Sequence, residues 1–419
     1  MVFYIINKNG GYKQVSPYCK KQTLKKMNEN DFILNASRTH LSDDNISVLK
    51  DLSCQNIDWS SFAEKASIHG VTTLIYYSLT SHGLSQLIPS NIYKRFQENY
   101  YRVARENSIF IDKIDKLSRI IKDKIILLKG ADLIQTLYPN IALRSMCDID
   151  ILVEKERVKD IWNKLKSNGY IQILLPPKST VHNKRMNYKH MDYKHMHLPA
   201  LYDGKCCVEV HWNLFELQDF YNVTKMAWKT AISLDSNNKI HRLSNEFLLI
   251  HLCSHFYCHA KSIPILRMLC DINELILKHG DTIDWIEINE ICADSELKNE
   301  VVTVLTYAHV LLKTPVPANF LNDKLINENS INLDSLLKVR HVTLQNKKNT
   351  LRLYFSTLRS LDKSTDKLIF VFRTFIPVKE WMNAKYNTKT VSELGLAYFK
   401  YWSYLFKRHI LKKDIDIGN

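Results

Sequence analysis

Residues 125–153 hold the one arrangement in this chain that few folds accommodate: a strand, a glycine turn, a short helix and a second strand bearing two acids. Ile125 to Leu128 is an apolar run that stops at Lys129-Gly130, as a buried strand entering a turn does. Asp132 to Tyr138 has room for about two helical turns before Pro139 and Asn140 end it. Then comes Asp148-Ile149-Asp150-Ile151-Leu152-Val153. Side chains two apart on a strand share a face, so Asp148 and Asp150 point one way and Ile149 and Ile151 the other. Two carboxylates held side by side repel, and an oxygen-seeking cation such as Mg²⁺ or Mn²⁺ relieves that, with phosphates completing its shell. An isolated Asp-x-Asp also fits an edge strand with a solvated acidic face. The weight therefore rests on the turn upstream and on a third acid downstream.

That third acid lies in Cys206-Cys207-Val208-Glu209-Val210-His211-Trp212. Alternation places Cys207, Glu209 and His211 on one face of a strand and the valines on the other. An acid and a histidine sharing a face are unusual for a plain core strand. His211 is read as tuning Glu209, touching substrate, or as a hydrogen-bonded, half-buried histidine.

Three blocks, Lys129-Gly130, Leu143-Arg144 with Asp148-Ile149-Asp150, and Val208-Glu209-Val210-His211-Trp212, resemble the nucleotidyltransferase superfamily related to DNA polymerase beta. More closely they resemble its bacterial family of uncharacterised nucleotidyltransferases. The superfamily usually shows Gly followed by Ser where this chain has Lys129-Gly130, and the 17 residues between Gly130 and Asp148 make a long gap. The resemblance implies an α+β fold: a small mixed-sheet nucleotidyltransferase core flanked by N-terminal and C-terminal helical regions. It implies Asp148, Asp150 and Glu209 as catalytic residues and ligands of Mg²⁺ or Mn²⁺. Nucleotide contacts are expected from Lys129, Gly130, Arg144 and Arg267, the last in a family-like Leu266-Arg267-Met268-Leu269-Cys270-Asp271-Ile272 block. Arg267 and Asp271, four apart on a helix, can pair with each other, or Arg267 can reach a triphosphate. Arg144 either neutralises the leaving group or bridges to neighbouring acids.

The activity implied is metal-dependent transfer of a nucleoside monophosphate from a nucleoside triphosphate to an unidentified acceptor (small molecule, peptide or protein, or RNA), releasing pyrophosphate. The alternative is a non-catalytic nucleic-acid- or partner-binding protein that retains the fold. Three mutually repelling carboxylates argue against it.

Around this core the chain divides into an arm at 1–30, a helical region at 31–122, the catalytic core at 123–216 and a helical region at 217–419. Asp43 or Asp44 and Asp58 are placed to cap helices, and the stretch from Pro89 to Lys124 is the longest helical candidate. Lys178 to His197, with its histidines, reads as a solvated loop or hairpin, and Tyr398 to Arg408 as a terminal helix. His251, His255 and His259 share a helix face and read as a polar stripe or core histidines. A net charge of +15 points to an anionic partner, nucleotide or RNA among them. Nine cysteines without a regular framework suggest reduced thiols in a cytoplasmic protein, and no apolar run reaches a membrane-spanning length.

Overall fold

The computed structural model describes residues 3–6, 12–15, 29–172, 196–215, 221–259, 265–293, 295–327 and 390–409, with isolated positions between 331 and 386. The fold is α+β, as expected, and the chain separates into two compact units: 1–153 with 223–346, and 154–222 with 347–419.

The first unit begins with a hairpin of β1 (Phe3–Ile6) and β2 (Tyr12–Val15). Helices α1 (Glu29–Ala36), α2 (Asp43–Ser53), α3 (Trp59–Ile68), α4 (Thr72–Ser81) and α5 (Ser90–Ile121) follow. Asp58 caps α3, accepting from the Ser60 and Ser61 amides, as its position suggested. Helix α2 is capped by Ser42 in a reciprocal capping box with Asn45; Asp43 and Asp44 occupy its first turn instead. Helix α5 runs unbroken for 32 residues, burying Ile92, Phe96, Val103, Phe110, Ile114, Leu117 and Ile121 along one stripe, and ends at left-handed Lys122.

Next come β3 (Ile125–Leu128), α6 (Gly130–Thr136) and β4 (Asp148–Leu152). All four residues of β3 are buried, which explains its unbroken apolar sequence. It lies antiparallel to β4 and parallel to β9 (Ile240–Arg242), and β9 pairs antiparallel with β8 (Ile232–Ser233). The register sets Leu128 opposite Asp150, so the acid sits beside the Lys129-Gly130 turn. The helices Asn245–His259, Ile265–His279 and Ser295–Leu312 pack on one another and complete this unit's helical core.

The second unit contains α7 (Val158–Ser167) and an antiparallel set of β5 (Ile171–Gln172), β6 (Leu201–Tyr202) and β7 (Cys207–His211). Helix α7 buries Val158, Ile161 and Leu165, and the Trp162 indole donates to the Pro199 carbonyl. Residues 173–195, which include most of the histidine-bearing stretch, lie outside the described residues. The terminal helix is present as Val391–His409, with Phe399 and Trp402 exposed.

The cysteines at 147, 206, 207, 253, 258, 270 and 292 are not in disulfides, but Cys54 is disulfide-bonded, which corrects the expectation of uniformly reduced cysteines. Among the described residues no helix is long and apolar enough to cross a membrane.

One buried group in α6 makes stability depend on pH. Asp132 is fully buried; one carboxylate oxygen accepts from the Thr136 hydroxyl and the other has no partner. Burial raises its pKa from 3.8 to about 6, opposed by the Thr136 hydrogen bond and by Arg242. Between these values the folded chain binds a proton that the unfolded chain lacks. Stability is therefore lost as pH rises from about 4 through about 6, by up to ~3 kcal/mol. Asp132→Asn should be the more stable chain at pH 7 and should flatten this part of the stability profile in urea titrations at several pH values. Equal pH dependence in both chains would contradict the assignment.

Candidate active site

In the first unit, the candidate residues are positioned by the turn after β3. Lys129 has φ 49° and ψ −125°, a region that favours glycine, so the strained residue of this turn is the lysine. Its ammonium donates to Asp150 Oδ1 at 3.1 Å, both side chains being nearly buried. Gly130 is required for another reason. A Cβ there would lie 2.5 Å from Arg144 Nη1 and 2.9 Å from Met146 Cγ, so the glycine makes room for the Arg144 guanidinium. On β4, Asp150 is 3% exposed whereas Asp148 is only partly buried, so the two acids of one face sit in different environments.

Behind the turn lies a second charged group. Arg144 Nε donates to both oxygens of Asp271, at 3.3 and 3.1 Å, and the Tyr138 hydroxyl donates to the same carboxylate at 2.8 Å. Burial opposes the Arg144 charge, but Asp271 first, then Tyr138 and Asp148, hold the guanidinium protonated, and its pKa is raised. The pairing of Arg267 with Asp271, one turn along the helix Ile265–His279, is not what forms. Asp271 is occupied by Arg144, and Arg267 Nη1 donates to the Ser145 carbonyl and hydroxyl at 3.1 and 2.8 Å. Among the described residues no carboxylate lies within ion-pair distance of Arg267, and its Nε is buried without a hydrogen-bond partner. Burial, then the neighbouring Arg144, pulls its pKa down. Two buried guanidiniums thus stand next to a glycine turn with only Arg144 ion-paired to a carboxylate, a place that favours a further anion.

The segment bearing Arg144 is fixed from α4 and α5. The Thr73 hydroxyl donates to the Leu143 carbonyl, and the fully buried Asn107 amide donates to the carbonyls of Ile141 and Arg144. Sequence reading did not single out Asn107, Thr73, Ser145 or Tyr138. A polar residue on the buried stripe of a long amphipathic helix was the available signal for Asn107.

In the second unit, the candidate residues stand on β7. Glu209 and His211 share a face as expected, between the buried Val208 and Val210. Glu209 Oε2 lies 3.5 Å from His211 Nε2 and 3.6 Å from His197 Nε2. His197 forms an antiparallel bridge opposite His211, their rings 4.8 Å apart between centroids. Of the histidines in the 182–197 stretch, His197 alone is among the described residues.

A strand–Gly turn–helix unit with an Asp-x-Asp strand, and a separate Glu-bearing strand, define a nucleotidyltransferase-type protein. The family described as uncharacterised nucleotidyltransferase matches residues 55–313, more than half of the chain, and the chain belongs to that family. Neither curated proteins nor solved structures give a match.

Proposed function

We propose that this chain is a divalent-metal-dependent nucleotidyltransferase that moves a nucleoside monophosphate from a triphosphate to an acceptor hydroxyl, with release of pyrophosphate. Within the first unit, the observation that carries this reading is the cationic turn: Lys129, Arg144 and Arg267 gathered near Gly130, with Lys129 paired to Asp150, Arg144 to Asp271, and Arg267 hydrogen-bonded to Ser145 instead of to a carboxylate. Family membership supplies the reaction class.

The donor chemistry suits a metal. Carboxylates are the preferred ligands of Mg²⁺ and Mn²⁺, and Asp150, Glu209 and His211 are residue types able to hold such an ion. Asp148, Asp150 and Glu209 would hold it. When bound, it screens the phosphates from the carboxylates and acidifies the attacking hydroxyl. Glu209 takes the hydroxyl proton as the acceptor oxygen bonds to the α-phosphorus and the bond to the departing pyrophosphate breaks. Arg267, with its orphan Nε, and Arg144 hold the outer phosphates, where guanidinium and phosphate match bidentately. Lys129 balances Asp150 until the substrate arrives and then donates to phosphate. Residues 123–216 are the proposed catalytic region, lying in sequence between 31–122 and 217–419. The acceptor is a hydroxylated small molecule, a peptide or protein side chain, or an RNA end, and the cytoplasm is the proposed location.

The test is thermal unfolding with each of ATP, GTP, CTP and UTP, with and without Mg²⁺ or Mn²⁺. At least one triphosphate should raise the melting temperature by a few degrees or more only when the ion is present, as preferential binding to the folded chain requires. If no triphosphate shifts it, the catalytic reading fails and a binding role for the retained fold takes its place.

A further inference from the structure

Asn107 breaks the pattern of the helix that carries it. The buried stripe of α5 is otherwise apolar, with Val103 and Phe110 before and after, yet Asn107 is fully buried on it. Both hydrogens of its amide are used, Nδ2 donating to the carbonyls of Ile141 and Arg144. Its Oδ1 is buried with no hydrogen-bond partner. One buried acceptor is thus left orphaned, at a cost in stability, while two carbonyls distant in sequence are held. A residue that breaks its local rule in this way is the kind found at functional sites.

The carbonyls it holds set a guanidinium. Arg144 has φ −133° and ψ 106°, an extended backbone in which successive carbonyls point to opposite sides. The Leu143 carbonyl accepts from the Thr73 hydroxyl of α4 at 2.9 Å, and the Arg144 carbonyl accepts from Asn107 at 2.8 Å. The two planar peptides that flank the Arg144 Cα are therefore pinned from two helices, which fixes the direction in which its side chain leaves the backbone. That side chain fills the space where a Cβ on Gly130 would lie 2.5 Å from Nη1. The Ser145 carbonyl, in the next peptide, accepts from Arg144 Nη1 at 3.3 Å and from Arg267 Nη1 at 3.1 Å. One carbonyl thus gathers both guanidiniums. The Arg267 backbone is tied separately, its amide donating to the His69 carbonyl.

We propose that Asn107 is a positioning residue for phosphate recognition: it holds the peptide after Arg144 so that the guanidiniums of Arg144 and Arg267 meet at the Ser145 carbonyl beside Gly130 and bind a polyphosphate together. The inference deepens the functional reading and rests on it for the identity of the anion. Outer phosphates are held alike in the bound substrate and in the transition state. Losing their alignment therefore weakens triphosphate binding and leaves the chemical step.

The full-length parent is compared with Asn107→Leu, Thr73→Val and Thr73→Ser. Leu117→Ala, about 15 Å further along α5, controls for destabilisation alone. Circular dichroism and urea unfolding establish that each chain is folded and how much stability it has lost. Calorimetry reads the binding of inorganic pyrophosphate and of ATP, GTP, CTP and UTP in Mg²⁺, and transfer is followed with labelled triphosphates and a cell extract. Asn107→Leu should raise the Kd for pyrophosphate and the KM for triphosphate at least ~10-fold with kcat within ~3-fold of the parent, since misplacing a group by on the order of 1 Å can cost about 100-fold. Thr73→Val should shift both the same way, and Thr73→Ser, which keeps the hydroxyl, should restore them. Leu117→Ala should lose stability with Kd and KM unchanged. Asn107→Ala, which leaves room for water on the two carbonyls without fixing them, takes the place of Asn107→Leu if that chain does not fold. Parental Kd and KM in a folded Asn107 variant, or losses that Leu117→Ala shares, overturn the proposal. A parent that transfers nucleotide while its folded Asn107 variants bind as it does refutes this inference alone. A parent that binds pyrophosphate more tightly than its Asn107 variants but takes no triphosphate refutes the functional reading alone, and one that binds neither anion refutes both.

Discussion

Asp271→Asn is expected to cost about 3–5 kcal/mol of folding stability, a large fraction of what a folded domain has. The carboxylate is buried and is the common acceptor for Arg144 Nε and the Tyr138 hydroxyl. Neutralising it leaves two buried guanidiniums, Arg144 and Arg267; burial first, and Arg144 second, already lower the Arg267 pKa. Urea unfolding at neutral pH measures the loss. The paired change Arg144→Met with Asp271→Leu should recover much of it, because apolar groups replacing both members of a buried ion pair remove the uncompensated charge. A single variant within ~1 kcal/mol of the parent would show that the Arg144–Asp271 pair does not hold this region together.

Asp148→Asn is expected to lower nucleotide transfer by about 10³-fold or more while leaving the fold intact. Loss of a metal-ligating carboxylate removes several kcal/mol of transition-state stabilisation, and each 1.4 kcal/mol is about tenfold in rate. Asp148 is the cleaner position because its side chain is only partly buried. Asp150→Asn would also break the buried ion pair with the Lys129 ammonium and so mix a stability loss into the result. Transfer is followed with labelled triphosphates, a cell extract supplying the acceptor, and pyrophosphate release as a second readout. Transfer within tenfold of the parent in Asp148→Asn would remove this residue from the site.

Much of the architecture follows from local rules. The apolar run of β3, the alternation on β4 and β7, the 32-residue amphipathic α5 and the cap at Asp58 are short-range patterns, and the structure forms each where the pattern stands. The α2 cap shows how narrow the margin is: Ser42, one residue earlier than the acids, wins because its hydroxyl and the Asn45 side chain satisfy two backbone amides at once. Arg267 and Asp271 show where local reasoning stops. A spacing of four suggests a pair, but a residue 127 positions away along the chain takes the carboxylate.

The Lys129-Gly130 turn sums up the division. By itself the sequence determined that a strand ends there, that Asp148 and Asp150 share a face, and that Glu209 and His211 share another, because these depend on alternation along a few residues. Only tertiary structure decided that Lys129 takes the strained backbone, that Gly130 admits the Arg144 side chain, and that His197 stands opposite His211. Those outcomes depend on which distant groups share a buried volume, where each charge must find a counter-charge and each polar atom a partner.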